Sequence, residues 1–420
     1  MFLPVVVLPL LVFAPLHLSV LATRLAQTPS LGWPELAPAA LFAATVLLLW
    51  AAMAIGRYGG SPAVPSAAMA LLGVGMAVQY RIGSFRAAGF DAPSGWALPV
   101  GVLLMIAAYF ALRRRRIEKL EGIWPWTFAA SVAVILAVVV LGRSYRGAKY
   151  LPGGMNPVEI AKPLLVLFVS ALLSGHRLDL RRGLLGVPLP PPNILATVAV
   201  FWLPPMLLLV LQGDLGMFAL MNATLLAMLA AVTHRSLYLT GGLAALLSLA
   251  AAAMPLTRRG RVRLVAWQDP FSCATDAGWQ ILQSLVALYT GGIWGTGLGA
   301  GSPRSVPIVE SDFAYAMIGE ELGLAGCCAV ALLYAVLVVS GVRLASRARS
   351  AYASCVATGL VACLGFQTLL NLAGVTKALP LTGIPLPLVS HGGSSLVATL
   401  LSIGLLMAIS DEAPAIRAPR

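Results

Sequence analysis

The chain of 420 residues is 59% hydrophobic and only 10% charged; a soluble globular chain carries about 25% charged residues, so a water-exposed surface cannot be built from this composition. The net charge of +13 does not call for nucleic acid, because membrane proteins keep Lys and Arg in cytoplasmic loops to fix their orientation. The cysteines (Cys273, Cys327, Cys328, Cys355 and Cys363) lack the C-x-x-C spacing of a zinc or redox site, and all but Cys273 fall in apolar runs as small packing residues.

Apolar runs long enough for a bilayer, roughly 20 helical residues each, recur near 1–22, 38–56, 63–80, 94–112, 123–142, 158–174, 193–211, 215–232, 237–254, 313–342, 351–373 and 394–410. None alternates with period two as a barrel strand does. The fold expected is therefore all-α, a polytopic transmembrane helical bundle of about 12 spans. The first run lacks the basic n-region of a signal peptide and is read as a true span. Alternating the connections puts Arg57, Arg113 to Arg116 with Lys119, Arg177, Arg181, Arg182, Arg235, Arg343, Arg347 and Arg349 on one side. That side is expected to be the cytoplasm, with both termini there.

The opposite side receives 143–157, a long segment of about 255–312 between spans 9 and 10, and a Pro/Gly-rich segment of about 374–393. Ionisable residues near or within spans are functional hypotheses, since a charge in lipid must be paired or solvated. In chain order the first are Glu159 and Lys162 in MNPVEIAK, three residues apart on one helix face. They fit a local ion pair at a helix start as well as a site. Asp214 in LQGDLG stands where two runs meet and could be an N-cap.

The long segment opens with TRRGRVR, placing Arg258, Arg259, Arg261 and Arg263 on the side that should be poor in arginine. GWQILQSLVALYTGGIWGTGLG then reads as a short interfacial helix followed by a glycine turn whose backbone could approach a ligand. Asp312 ends the segment in VESDFAYAMIGEELG; it could cap the next helix, or act as a base beside basic residues. Glu320 and Glu321 lie further along that helix and must face a polar interior or a basic partner. LPLTGIPLPLVSHGGSS cannot be a regular helix, and such backbone is tolerated at membrane depth only under protein or in a wet cavity. Arginines and glycine turns together suit an anionic, phosphate-bearing amphiphile. P-loop, dinucleotide, HExxH and GxSxG motifs are missing from the sequence.

From about residue 140 to 412 the chain resembles the SEDS (shape, elongation, division and sporulation) family, the FtsW, RodA and SpoVE group. The resemblance rests on MNPVEIAKPLLVLF, LQGDLG, the block from WQDPF through the glycine turn to SDFAYAMIGEELGLAG, and TGIPLPLVSHGGSS. It departs from the family's pattern at Gly213, where proline is usual, at His391, which replaces an aromatic residue, and in a longer N-terminal half. The resemblance implies a core of ten spans with about two extra N-terminal helices, and the expected division sets extra N-terminal helices in 1–90 apart from a core in 91–420.

The resemblance implies a peptidoglycan glycosyltransferase of the bacterial inner membrane that joins lipid II units on the outer face, with a class B penicillin-binding protein as partner. It implies Asp312 as the catalytic base on an acceptor sugar hydroxyl that attacks the anomeric carbon of the growing chain and expels undecaprenyl pyrophosphate. A divalent cation, Mg or Mn, could sit at Asp312. Substrate-binding candidates are Glu159, Lys162, Arg258, Arg259, Arg261, Arg263, Gln283, Ser284, Glu320, Ser390, Gly392, Gly393 and Ser394, with Lys162 and the four arginines for the pyrophosphate. The competing readings are a lipid II flippase, whose site belongs near the midplane, and a noncatalytic scaffold.

Overall fold

The computed structural model describes residues 3–27, 32–83, 96–114, 116–145, 148–151, 156–174, 181–182, 188–189, 192–256, 258–275 and 277–413. Arg177 and Met155, both singled out above, lie outside them.

Each apolar run folds as a helix, in the order expected: α1 (Leu3–Gln27), α2 (Trp33–Gly56), α3 (Ala63–Ile82), α4 (Ala97–Leu112), α5 (Trp124–Leu141), α6 (Val158–Ser174), α7 (Pro192–Gln212), α8 (Leu215–Thr233) and α9 (Ser236–Ala253). After them come α10 (Arg258–Gln268) and α11 (Ala277–Gly291), then α12 (Ala314–Arg347), α13 (Ala351–Val375) and α14 (Gly393–Glu412). The segment between α9 and α12, expected to be a loop with one short helix, holds two α-helices among the described residues; Arg258 to Arg263 are themselves the start of α10. Short strands pair antiparallel at Arg143–Tyr145 with Ala148–Tyr150 and at Arg181–Arg182 with Pro188–Leu189.

The chain is a multi-pass membrane protein: among the described residues, eight helices are long and apolar enough to cross a bilayer, and three more are shorter and apolar. Burial separates centre from rim. Of the 18-residue windows, 94% is buried in α3 and 78% in α14, but 28% in α1 and 22% in the helical stretch that ends with α5. Leucines, isoleucines and valines that soluble proteins would hide, such as Leu11, Leu47, Ile55, Leu103, Val140 and Leu332, therefore face outward into the lipid. α3 can be central because it is built from small residues. A Cβ placed on Gly75 would meet the Leu388 carbonyl at 2.2 Å, so α3 runs directly against the segment before α14.

Two ends result. At one, short connections hold the arginines: Arg113 donates to the Gly56 carbonyl at 2.5 Å, and Asp411 accepts from the Gly59 N–H at 2.6 Å. The other end, called the mouth below, carries residues 143–145, 148–151, 254–256, 258–275, 277–313 and 376–392.

α12 runs for 34 residues with a break at Gly323, whose φ of 67° and ψ of −167° are not helical. Such a break orphans backbone groups that lipid cannot satisfy. The glycine turn after α11 satisfies them. Thr296 and Gly297 N–H donate to the Glu320 and Glu321 carbonyls at 2.9 and 3.1 Å, while Leu324 and Ala325 N–H donate to the Gly292 and Ile293 carbonyls at 2.9 and 3.1 Å. The glycine turn thus packs its backbone against the broken helix.

Candidate active site

Glu159 and Lys162, one turn apart at the start of α6, form an ion pair, and both are buried. Lys162 Nζ also donates to Gln367 Oε1 on α13 at 2.6 Å, and Gln367 Nε2 donates onward to the Pro385 carbonyl at 2.9 Å. The pair therefore joins α6, α13 and segment 376–392. Asp214 caps α8, accepting from Met217 N–H at 2.9 Å, as the capping reading expected. Gly213 beside it has a φ of 83°, a conformation that the proline usual in the family cannot take. Burial pushes the Asp214 carboxyl up, and Glu159, Lys162 and Arg263 are the charges that act on it.

Asp312 stands just before α12, with Phe313 rather than Asp312 in the capping position. Its backbone is held at both ends: its N–H donates to the Ile308 carbonyl at 3.2 Å, and its carbonyl accepts from Asn371 Nδ2 at 3.0 Å. Ser311 Oγ donates to Asp312 Oδ1 at 3.2 Å. Across from it, Arg263 on α10 donates from Nη1 to the Thr382 carbonyl at 3.4 Å. Gly383 marks the space between the two groups: it has a φ of 75°, and a Cβ built on it would lie 3.9 Å from both Arg263 Nη2 and Asp312 Oδ2. A side chain there would approach both the guanidinium and the carboxylate. Tyr150 lies in the same electrostatic neighbourhood: its phenol is pushed up to about 12, first by burial, then by Asp214, Asp312 and Glu159, against Arg263.

The remaining candidates divide. Arg261 is exposed, and the side chains of Arg258 and Arg259 lie outside the described residues, so of the four arginines Arg263 is the one seen beside Asp312. Lys162 is engaged inside the protein by Glu159 and Gln367. Ser284 is fully buried and donates to the Val375 carbonyl at 3.0 Å, tying α11 to α13. Gln283 is half-buried on α11. Glu320 is buried and accepts from Ser302 N–H at 2.9 Å, so it holds the glycine turn. Ser390 Oγ accepts from Leu386 N–H at 3.0 Å within its own turn, Ser394 Oγ accepts from Asn156 N–H at 3.2 Å, and Gly392 and Gly393 open α14.

Sequence reasoning missed Gln367, Asn371, Gln79 and Arg81. The first two are legible in hindsight, as polar residues four apart on one face of an apolar run. Arg81 shows a weaker signal, a basic residue at the mouth end of a span.

Fold and site together define a polytopic helical membrane protein with a carboxylate and a guanidinium that both approach one glycine at one mouth of the bundle. A family model described as cell cycle protein, FTSW_RODA_SPOVE, matches residues 65–414. The chain belongs to this family. It is 33% identical over 346 residues to the peptidoglycan glycosyltransferase RodA of Mycobacterium tuberculosis (strain ATCC 25618 / H37Rv), covering 80% of this chain and 73% of the relative. It is 35% identical over 279 residues to a probable peptidoglycan glycosyltransferase FtsW of Geobacter sulfurreducens (strain DL-1 / KN400), covering 65% and 72%. Among solved structures it is similar to a chain from a study of the structural coordination of polymerization and crosslinking by a peptidoglycan synthase complex (TM-score 0.65, 27% identity, 84% of this chain and 97% of that one). It is also similar to the rod shape determining protein RodA of Thermus thermophilus (TM-score 0.58, 27% identity, 84% and 97%).

Proposed function

We propose that this peptidoglycan glycosyltransferase uses Asp312 as its general base and Arg263 as the cation facing it, on lipid II presented at the mouth. The observation that supports this most is the shared approach of Arg263 Nη2 and Asp312 Oδ2 to the Gly383 position, 3.9 Å from each. A carboxylate takes the proton of the acceptor hydroxyl as that oxygen bonds to the anomeric carbon of the donor chain. The bond from that carbon to the pyrophosphate oxygen breaks in the same step, and a guanidinium lowers the cost of the charge released.

Groups of three or more His, Cys, Asp or Glu that could hold a metal ion are lacking among the described residues. Mg or Mn would have to be held by Asp312 together with substrate phosphates, where it would neutralise pyrophosphate charge. The mouth faces outward from the inner membrane, with the arginine-rich end and both termini in the cytoplasm. A class B penicillin-binding protein is the partner, by analogy with the synthase complex above. The flippase reading is disfavoured because the acid and its arginine sit at one mouth rather than at the midplane.

The test is purified full-length chain with its cognate penicillin-binding protein, transpeptidase site inactivated, given labelled lipid II. A glycan ladder supports polymerisation. Movement of lipid II across vesicles with no ladder supports the flippase.

A further inference from the structure

The last turn of α3 carries polar residues that the proposed chemistry does not use. Arg81 Nε lies 2.8 Å from Glu321 Oε1, and Arg81 Nη2 donates to the carbonyls of Gly299 and Gly301 at 2.9 and 2.8 Å. Glu321, its side chain 1% exposed, also accepts from Gly299 N–H at 3.0 Å. One guanidinium thus fastens the glycine turn to α12 beside the break at Gly323. A planar fork reaches these three acceptors on two segments from fixed directions, whereas the ammonium of a lysine is a compact point charge on a flexible stem.

Two residues earlier, Gln79 Nε2 donates to the carbonyls of Glu310 at 3.0 Å and Val389 at 3.2 Å. Glu310 lies two residues before Asp312, and Val389 belongs to the segment that faces it. The end of α3 therefore touches the backbone on both sides of the proposed site. α1 backs it up in turn: the Arg24 guanidinium stands 4.2 Å over the Tyr80 ring and donates to the carbonyls of Tyr80 and, at 3.3 Å, Arg81.

The break at Gly323 separates the first turns of α12, and Asp312 before them, from the long remainder of the helix. Their register is set by what grips them locally. We propose that Arg81 is a positioning residue for Asp312, acting through Glu321 and the glycine turn, with α1 bracing it through Arg24. This rests on the reading of Asp312 as the base.

The test compares wild type, Arg81→Gln, Arg81→Lys and Arg24→Gln as full-length chains in nanodiscs, by lipid II turnover, thermal unfolding, and hydrogen exchange over 306–313 and over α14. For Arg81→Gln, turnover should fall roughly ten- to a hundredfold, as a misplaced base costs, with KM changed less than about twofold. Exchange over 306–313 should rise while α14 stays as in wild type. Arg81→Lys should fall between the two, and Arg24→Gln should show a smaller effect of the same kind. Unchanged turnover and exchange in Arg81→Gln would overturn the proposal. So would a loss that tracks the melting temperature across the variants with faster exchange in α14, since that is a general stability role. If wild type itself makes no glycan, the functional reading fails separately, and exchange confined to 306–313 still decides whether Arg81 holds the Asp312 segment.

Discussion

Two ion pairs serve the mouth of the bundle, Glu159–Lys162 buried on both sides and Arg81–Glu321 with its carboxylate buried and its arginine part-exposed, and they do so differently. Glu159–Lys162 is local, closed within one turn of α6, and reaches the mouth indirectly through Gln367 to Pro385. Arg81–Glu321 joins residues 240 apart in sequence and grips the carbonyls of Gly299 and Gly301 directly. Burying an ion pair costs several kcal/mol in desolvation and breaks even only when the leftover donors are satisfied. In both pairs those donors end on irregular backbone or on the amide that holds it. The pairs are thus the means by which non-helical segments are kept in a bundle surrounded by lipid.

The comparison can be broken at four places. Lys162→Met leaves Glu159 buried without its cation and should cost about 3–5 kcal/mol, read as a lower melting temperature and lost polymerisation. Wild-type stability would remove this pair from the account. Gly295→Ala attacks the other side: Gly295 has a φ of 83°, and its added Cβ would meet the Glu321 carbonyl at 2.2 Å. A penalty of about 1–3 kcal/mol is expected for that strain, checked by thermal unfolding, with glycan synthesis reduced at the same time. Asp214→Ala removes a cap and should cost about 1 kcal/mol, with turnover nearly unchanged at a temperature where the variant is folded.

The smallest effect concerns His391, on segment 376–392. Burial lowers its pKa against the opposing pull of Glu310. The native state then binds fewer protons than the unfolded chain just below the ordinary histidine value, so its contribution to stability falls as pH drops through about 6.5. His391→Phe should flatten the acid side of a melting-temperature profile, and an unchanged profile would show that His391 does not titrate in this window.

The helices were legible in the sequence because lipid demands long uninterrupted apolar runs, and α6, α8 and α13 start within a residue of where hydrophobicity placed them. Glu159–Lys162 and the Asp214 cap were legible because both are short-range. Arg81–Glu321 was not, since nothing in a single sequence marks two residues 240 apart as neighbours. The same blindness explains Ser284 and Glu320. Nothing in the sequence marks their partners in the fold, the Val375 carbonyl and the Ser302 N–H. Among the four clustered arginines, sequence could not choose; the packing of α10 against segment 376–392, through Arg263 to Thr382 and Trp267 to Lys377, brings Arg263 to Asp312.

The central claim is tested most directly by lipid II polymerisation with Asp312→Asn beside wild type, each with the same transpeptidase-dead partner, at matched amounts of folded protein. Asparagine keeps the size and the hydrogen bonds at that position but cannot take a proton at neutral pH. The account predicts a wild-type ladder and a loss of roughly a hundredfold or more in the variant, with partner binding and melting temperature unchanged. Glycan made by Asp312→Asn at the wild-type rate would contradict it.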